Sequence, residues 1–361
     1  MKILFLAGSL NQGGAEFQLL KCAQLFKTKG NEVKILALTD YDFYKNFVVE
    51  NQLNYEYLDN NSSRPKRVMQ AVQHINNYKP ELVIAYLREV ALVALVAKLL
   101  CWHKFRLVIG ERTSLITPNY DRYYFQLCRF AEAVTVNSIS KKSYIEDNFC
   151  FLKKKLFFTP NILNLEEFDW AKVNTNPEKI SRLGYVGRIS KEKNLLNLVK
   201  GLAIVNKDIK EWSLELYGAV TDKVYYEKLI LLIKKLGLEK KIIYRGVTND
   251  VHSVYKEIDA LCLLSIFEGF SNVLSEALSS GIPIIASDIE ENAFLVEHQV
   301  NGFLVDRYEK VDIAEGLFSL MKLDALEIKK MNKRNKQKAF DLFEETNTYQ
   351  RFMNVVNIKS N

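Results

Sequence analysis

The sequence predicts an α/β protein made of two doubly wound domains. Three observations lead there. Short β-rich runs alternate with longer helical patterns nearly from end to end, as in parallel sheets covered by helices on both faces. The 361 residues are enough for about two domains of ordinary size, each with its own core. The rhythm breaks once, in the polar stretch 164–179, which holds Pro177, several asparagines and mixed charge and reads as a linker.

Strands are expected at 2–7, 32–38, 82–86, 106–110 and 133–136, and again at 181–186, 213–217, 241–245, 260–264, 282–286 and 302–305. Helical stretches between them include 17–29, 195–207, 223–236 and 271–280. A last helix, near 346–356, has no strand after it. The expected division is a first domain over 1–165, joined by the returning helix at about 345–361, and a second over 178–340. The opening run Met1–Ala7 has the look of a signal peptide, but it is short, and Gly13-Gly14-Ala15-Glu16 follows in place of a cleavage site; a first buried strand is the reading adopted. The apolar stretch 82–100 contains Arg88, Glu89 and Lys98, which argues against a membrane-spanning helix.

Composition excludes several classes. Hydrophobic residues make up 48% and charged residues 26%, an ordinary globular balance. Cys22, Cys101, Cys128, Cys150 and Cys262 are scattered, odd in number and lack a CxxC pair, so neither a disulfide framework nor a zinc site is expected and a cytoplasmic setting is the default. The net charge of +7 suits a phosphate-bearing partner: a nucleotide, a nucleic acid or an anionic membrane surface. The basic residues are spread out with no nucleic-acid reader motif, which argues against nucleic acid. Arg64-Pro65-Lys66-Arg67 and the group Lys98, Trp102, His103, Lys104 and Arg106 suit peripheral contact with anionic lipid, or an ordinary solvated face.

Open α/β sheets bind ligands beyond the carboxyl ends of their strands, where strand order reverses. Motifs at strand-to-helix turns therefore carry most weight. The sharpest is Phe267-Glu268-Gly269-Phe270-Ser271-Asn272-Val273-Leu274-Ser275-Glu276-Ala277, after the strand at 260–264. One carboxylate lies in the loop, and the second about 5–8 Å along a helix whose first N–H groups suit a phosphate. Spacing alone fits an N-capped surface helix equally well. The second motif is Gly184-Tyr185-Val186-Gly187-Arg188-Ile189-Ser190-Lys191-Glu192-Lys193-Asn194, where a strand ends and Arg188 and Lys193 offer a planar fork and a point charge to phosphate, or form a solvated basic loop. Gly13-Gly14 after the first strand allows close backbone approach to a ligand or makes a tight turn; no GxGxxG is present. Arg112 ends the strand at 106–110, as a sugar or phosphate contact or in a surface ion pair. Gly246-Val247 forms another turn after a strand.

Glu268 and Glu276, seven residues apart with Gly269-Phe270 after the first, resemble the EX7E signature of glycosyltransferase family 4. The wider string EGFSNVLSEALSSGIPIIASD, then NGFLV, is similar to that family's C-terminal half, and the resemblance runs from Met1 to about Val305. It implies the GT-B fold, two Rossmann-like domains facing an interdomain cleft, with the last helix crossing back to the first domain. It implies retaining transfer of a sugar from a nucleotide diphosphate donor, UDP-linked by expectation. The acceptor it suggests is a lipid-linked or growing surface glycan, as in members that build bacterial polysaccharides. Under it Glu276 meets the ribose and Glu268 the donor sugar. Arg188, Lys193 and the helix start near Asn272 hold the diphosphate, Gly246-Val247 the base, and Gly13-Gly14 the mouth of the cleft near acceptor and donor phosphate; Gly269, Phe270, Ser271, Asn272, Val273 and Leu274 count among the substrate-binding residues. The leaving phosphate helps take the acceptor proton in a front-face reaction, with no cofactor and no metal. Asp40-Tyr41-Asp42 mimics the DxD metal motif of the other large glycosyltransferase fold but sits in the wrong architecture. One departure stands out: where the family commonly has Gly-Gly, this chain has Glu290-Glu291, either solvated or a sign of unusual substrate preference. A GT-B nucleotide-sugar epimerase and an inactive GT-B partner subunit are the alternatives. The few histidines and the intact Glu268–Glu276 spacing argue against the first, and the presence of the motif residues against the second.

Overall fold

In the first sheet, the middle strands β1 (Lys2–Ala7), β2 (Glu32–Ala37), β4 (Leu82–Tyr86), β5 (Arg106–Glu111) and β6 (Ala133–Val136) are runs of buried apolar residues, the mark of a parallel sheet covered on both faces. With β3 (Asn54–Tyr57) and β7 (Leu156–Phe158) they form seven parallel strands in the order β3-β2-β1-β4-β5-β6-β7. The structure is a computed structural model and describes residues 1–11, 13–40, 43–58, 63–113, 116–168, 178–248 and 250–357. Tyr41 and Asp42 of the DxD-like triplet, and 169–177 of the expected linker, lie outside the described residues.

The chain divides into two units: Met1–Ile162 with Glu345–Asn361, and Leu163–Glu344. On one face of the first sheet, helices Arg64–Tyr78, Arg88–Leu100 and Pro118–Cys128 close a core through Val72, Ile75, Val90, Ala94, Phe125 and Cys128. On the other, Gly14–Thr28 and the last helix, Glu345–Val356, close a second core. The last helix thus belongs to the first unit. Phe352, Val355 and Val356 are buried there, the Phe26 ring meets Tyr349 and Phe352 edge-on at 5.3 and 6.2 Å, and Arg106 Nη1 donates to the Val356 carbonyl at 2.7 Å.

The second unit holds β8 (Arg182–Val186), β9 (Ser213–Tyr217), β10 (Ile242–Gly246), β11 (Ala260–Leu263), β12 (Ile284–Ser287) and β13 (Phe303–Val305). All pair in parallel, in the order β10-β9-β8-β11-β12-β13. Helix Asn272–Ser280 follows β11 and is capped by Ser271, whose Oγ accepts from Leu274 N at 3.2 Å. It stops at Gly281, whose φ of +75° glycine tolerates best. Among the described residues, no helix is long and apolar enough to cross a membrane.

Candidate active site

Strand order in the second sheet reverses between β8 and β11, so the crevice beyond their carboxyl ends is the expected ligand site. The loop leaving β8 bears Arg188 and Lys193; the loop leaving β11 bears Glu268. The first loop is fixed by close backbone approach. Gly218, after β9, has φ +139°, and a Cβ there would stand 1.9 Å from the Gly187 carbonyl oxygen, so glycine is required. Tyr185 Oη, its ionisation pushed up by burial and next by the Glu268 charge, donates to the Arg188 carbonyl at 2.6 Å. Asn194, at φ +57°, ends the turn and donates from Nδ2 to the Arg307 carbonyl at 2.7 Å.

On this support the Arg188 side chain stays 63% exposed, with one 3.4 Å contact to Glu192, and so keeps donors available for a ligand. Lys193 behaves differently. Its Nζ lies 2.6 Å from Glu268 Oε1, both side chains nearly buried, while Ile266 N donates to the Glu192 carbonyl at 2.8 Å. An ion pair and a backbone bond therefore bridge the two loops across the switch point. Glu276, half-buried on the helix, accepts at Oε2 from Tyr255 Oη at 2.8 Å. Burial, then the Glu276 charge, holds the Tyr255 hydroxyl well above its usual range, so it acts as a donor. Tyr255 carries no signal in the sequence that would have marked it; it reads there as one more aromatic on a short helix.

The remaining expected residues fall as follows. Gly246 ends β10 at φ +82°, its carbonyl accepting from Gly218 N at 2.7 Å, and Val247 beyond it is exposed. Gly269 and Phe270 complete the loop after Glu268, and Asn272, Val273 and Leu274 form the first turn of the capped helix. After β12, Glu290 is exposed and Glu291 buried. The turn there is braced to the β11 loop: Asn292 Nδ2 donates to Ser287 Oγ at 3.0 Å, and Ser287 Oγ donates to the Ser265 carbonyl at 2.6 Å.

In the first unit, Gly13 caps helix Gly14–Thr28, and Tyr44 Oη bridges its N–H (3.3 Å) and its carbonyl (3.0 Å). A Cβ on Gly13 would overlap the Glu16 carboxylate at 2.0 Å. Arg112 makes no ion pair among the described residues. Its Nη2 donates to Tyr86 Oη at 2.7 Å, its Nη1 to the Thr159 carbonyl at 3.2 Å, and its fork stacks on the Tyr86 ring at 4.3 Å. Its neighbour Glu111 joins a buried network that the sequence reading missed. Glu111 pairs with Arg88 Nε at 2.9 Å, Arg88 Nη1 with Asp121 at 2.7 Å, and Asp121 with Lys141 at 3.3 Å. Two members of the expected lipid-facing cluster are also used internally: Lys98 pairs with Glu132 at 2.8 Å, and Arg106 binds Val356.

Residues 166–339 match the family described as glycosyl transferases group 1. The match lies wholly within the second unit, Leu163–Glu344. Two curated relatives and one solved structure extend this. The chain is 27% identical over 352 residues to the N-acetylgalactosamine-N,N'-diacetylbacillosaminyl-diphospho-undecaprenol 4-alpha-N-acetylgalactosaminyltransferase of Campylobacter jejuni, covering 92% of this chain and 94% of that one. It is 30% identical over 171 residues to the poly(glycerol-phosphate) alpha-glucosyltransferase of Bacillus subtilis, covering 47% of this chain and 25% of that protein. The crystal structure of Anabaena Alr3699/HepE with UDP and glucose superposes with a TM-score of 0.80 at 21% identity, covering 99% of this chain and 100% of that one. At that identity the likeness speaks for the fold, which is GT-B.

Proposed function

We propose that this glycosyltransferase moves a sugar from a UDP-linked donor, with retention at the anomeric carbon, to a lipid-linked or growing surface glycan, at the face of an anionic membrane. The observation that carries this reading is the Lys193–Glu268 pair across the switch point, with the exposed guanidinium of Arg188 beside it. Two of the relatives agree in kind: one, by its name, acts on a diphospho-undecaprenol-linked sugar, and the Anabaena protein binds UDP.

The bond from the anomeric carbon to the donor phosphate breaks, and a bond from the acceptor oxygen forms on the same face. The acceptor proton passes to the departing phosphate. Negative charge grows on that phosphate as the bond lengthens, and Arg188, Lys193 and the N–H groups of the capped helix start stabilise it without a divalent metal. Glu268, held against Lys193, meets the sugar hydroxyls. Glu276 meets the ribose, oriented from behind by Tyr255. Gly246 and Val247 border the base. Gly13, Gly14 and Arg112 serve the acceptor side.

The test is a donor screen. Several nucleotide sugars are offered with lipid-linked acceptors, nucleotide release is followed, and the anomeric configuration of the product is read by NMR. The reading expects one UDP-sugar to dominate and its configuration to persist. An inverted product, or no transfer from any donor, overturns it.

A further inference from the structure

The outer face of the first unit is unevenly composed. Helix Arg88–Leu100 is apolar nearly all round, a composition that normally implies cover on every side. Its inner side packs on the sheet, yet Val96, Leu99 and Leu100 are exposed, Leu99 by 72%. It lies between helices Arg64–Tyr78 and Pro118–Cys128, on the same face of the sheet. Helix Pro118–Cys128 buries Asp121, Tyr124, Phe125 and Cys128. Its opposite side presents Tyr120, Tyr123 and Leu127, and Phe130 continues that stripe just past its end. Trp102 follows the middle helix, 65% exposed. Scattered exposed hydrophobics are ordinary; a run of them over adjacent helices marks an interaction surface.

Cations ring this apolar centre. Lys79 Nζ lies 5.2 Å from the Trp102 ring, and the Arg129 guanidinium 5.5 Å from the Phe151 ring. Lys104, two positions after Trp102, and Arg122, next to Tyr123, are also exposed, as are Lys153 and Lys154 just after Phe151. The three helices carry two acidic residues, Glu89 and Asp121, and Asp121 is buried. Aromatic rings beside lysine and arginine, around aliphatic side chains, suit the boundary between lipid headgroups and acyl chains. A second copy of the chain suits it less, since a two-fold interface would set the cationic rim against itself with little acid to pair it.

We propose that this three-helix face seats on an anionic bilayer, with Leu99, Trp102 and Tyr123 in the interface and the cationic rim at the headgroups. The proposal rests on the membrane-facing reading of function and names the surface that performs it.

The test is flotation with phosphatidylcholine vesicles, with and without phosphatidylglycerol. Wild type should float with the anionic vesicles and far less with the neutral ones. Arg122→Gln with Arg129→Gln should lower anionic partition about 25-fold, about fivefold for each cation lost. Leu99→Glu with Tyr123→Glu should lower it tenfold or more. Leu231→Glu, at an exposed position of the second unit, should change nothing. Thermal melting confirms folding, and turnover with a water-soluble acceptor should hold in all variants. Failure of wild type to float, or patch variants that float as wild type does, overturns the proposal; so does a dimer, seen by sedimentation, that the patch variants break while flotation is unchanged. Flotation as expected without sugar transfer from any donor keeps the surface and removes the proposed reaction. Transfer without flotation does the reverse.

Discussion

Replacing Glu268 with glutamine removes a charge and almost no volume, so its consequences follow from electrostatics. Glu268 Oε1 lies 2.6 Å from Lys193 Nζ, with the side chains 12% and 14% exposed, and so little solvent screens the pair. The change has two effects. It leaves the ammonium without its counter-charge, at a stability cost below the about 3–5 kcal/mol of a fully buried broken pair. It also removes a preorganised contact at the reacting sugar, worth about 2–4 kcal/mol of barrier, which is about 30-fold to about 900-fold in kcat. Glu276→Gln should differ in kind. The glutamine still accepts from Tyr255, and the ribose contact it weakens exists before and during reaction, so donor KM should rise more than kcat falls. Because Lys193 and Glu268 touch, Lys193→Met with Glu268→Gln should be non-additive by about 0.5–3 kcal/mol. The assay is steady-state kinetics over donor concentration for each variant, with folding checked by thermal melting. Near-wild-type kinetics in both glutamine variants would refute the site. A reversed KM–kcat pattern would exchange the two roles, and strict additivity would refute the shared one.

Four further outcomes follow. Turnover should persist with excess chelator, because Arg188, Lys193 and backbone N–H groups meet the diphosphate charge; loss of activity restored by manganese would overturn that reading. Gly218→Ala should destabilise the second unit by about 1–3 kcal/mol and raise donor KM, since its methyl meets the Gly187 carbonyl at 1.9 Å and shifts the Arg188 loop. Gly246→Ala, strained at φ +82° but with open space around it, should cost about 1–2 kcal/mol by melting. Asp121 is pushed up by burial, but Lys141, Thr117 and Arg88 outweigh this and hold it below its ordinary 3.8. A lowered folded pKa contributes stability above the unfolded value and loses it as pH falls through the folded one. Wild type should therefore lose this contribution only below pH 3.8, whereas Asp121→Asn should melt lower already at pH 7 and respond less to acid. Equal melting of the two at pH 7 would contradict it.

The central strands were legible because each is a buried apolar run, and most structural bounds fall within a residue or two of the expected ones. The two edges of the first sheet were not. β3, Asn-Tyr-Glu-Tyr, is mostly exposed and shows no apolar run, and β7 is three residues long. At the site, Glu268, Glu276, Arg188 and Lys193 were legible because they stand at strand-to-helix turns inside one motif string. What the string could not give was pairing. Lys193 lies 75 positions from Glu268, and Tyr255 lies 21 from Glu276, so only the fold brings them together. Arg88, Glu111, Asp121 and Lys141 are likewise scattered along the chain, and only the fold makes them a network. Glu111 and Arg112 are neighbours in sequence, yet they take different partners, as successive strand residues pointing to opposite faces do.

The last helix has a bearing on biosynthesis. Asn31 Nδ2 donates to Tyr349 Oη across 318 positions, and Phe26 waits for Phe352 over a similar stretch of chain. While a ribosome is still making the second unit, the first already has its strands but lacks part of the cover for one side of its core. A nascent or prematurely terminated chain would expose that apolar groove to chaperones and proteases, and only translation through Val356 would seal it. The closing helix thus acts as a completeness check, tying the durability of the first half to the synthesis of the second.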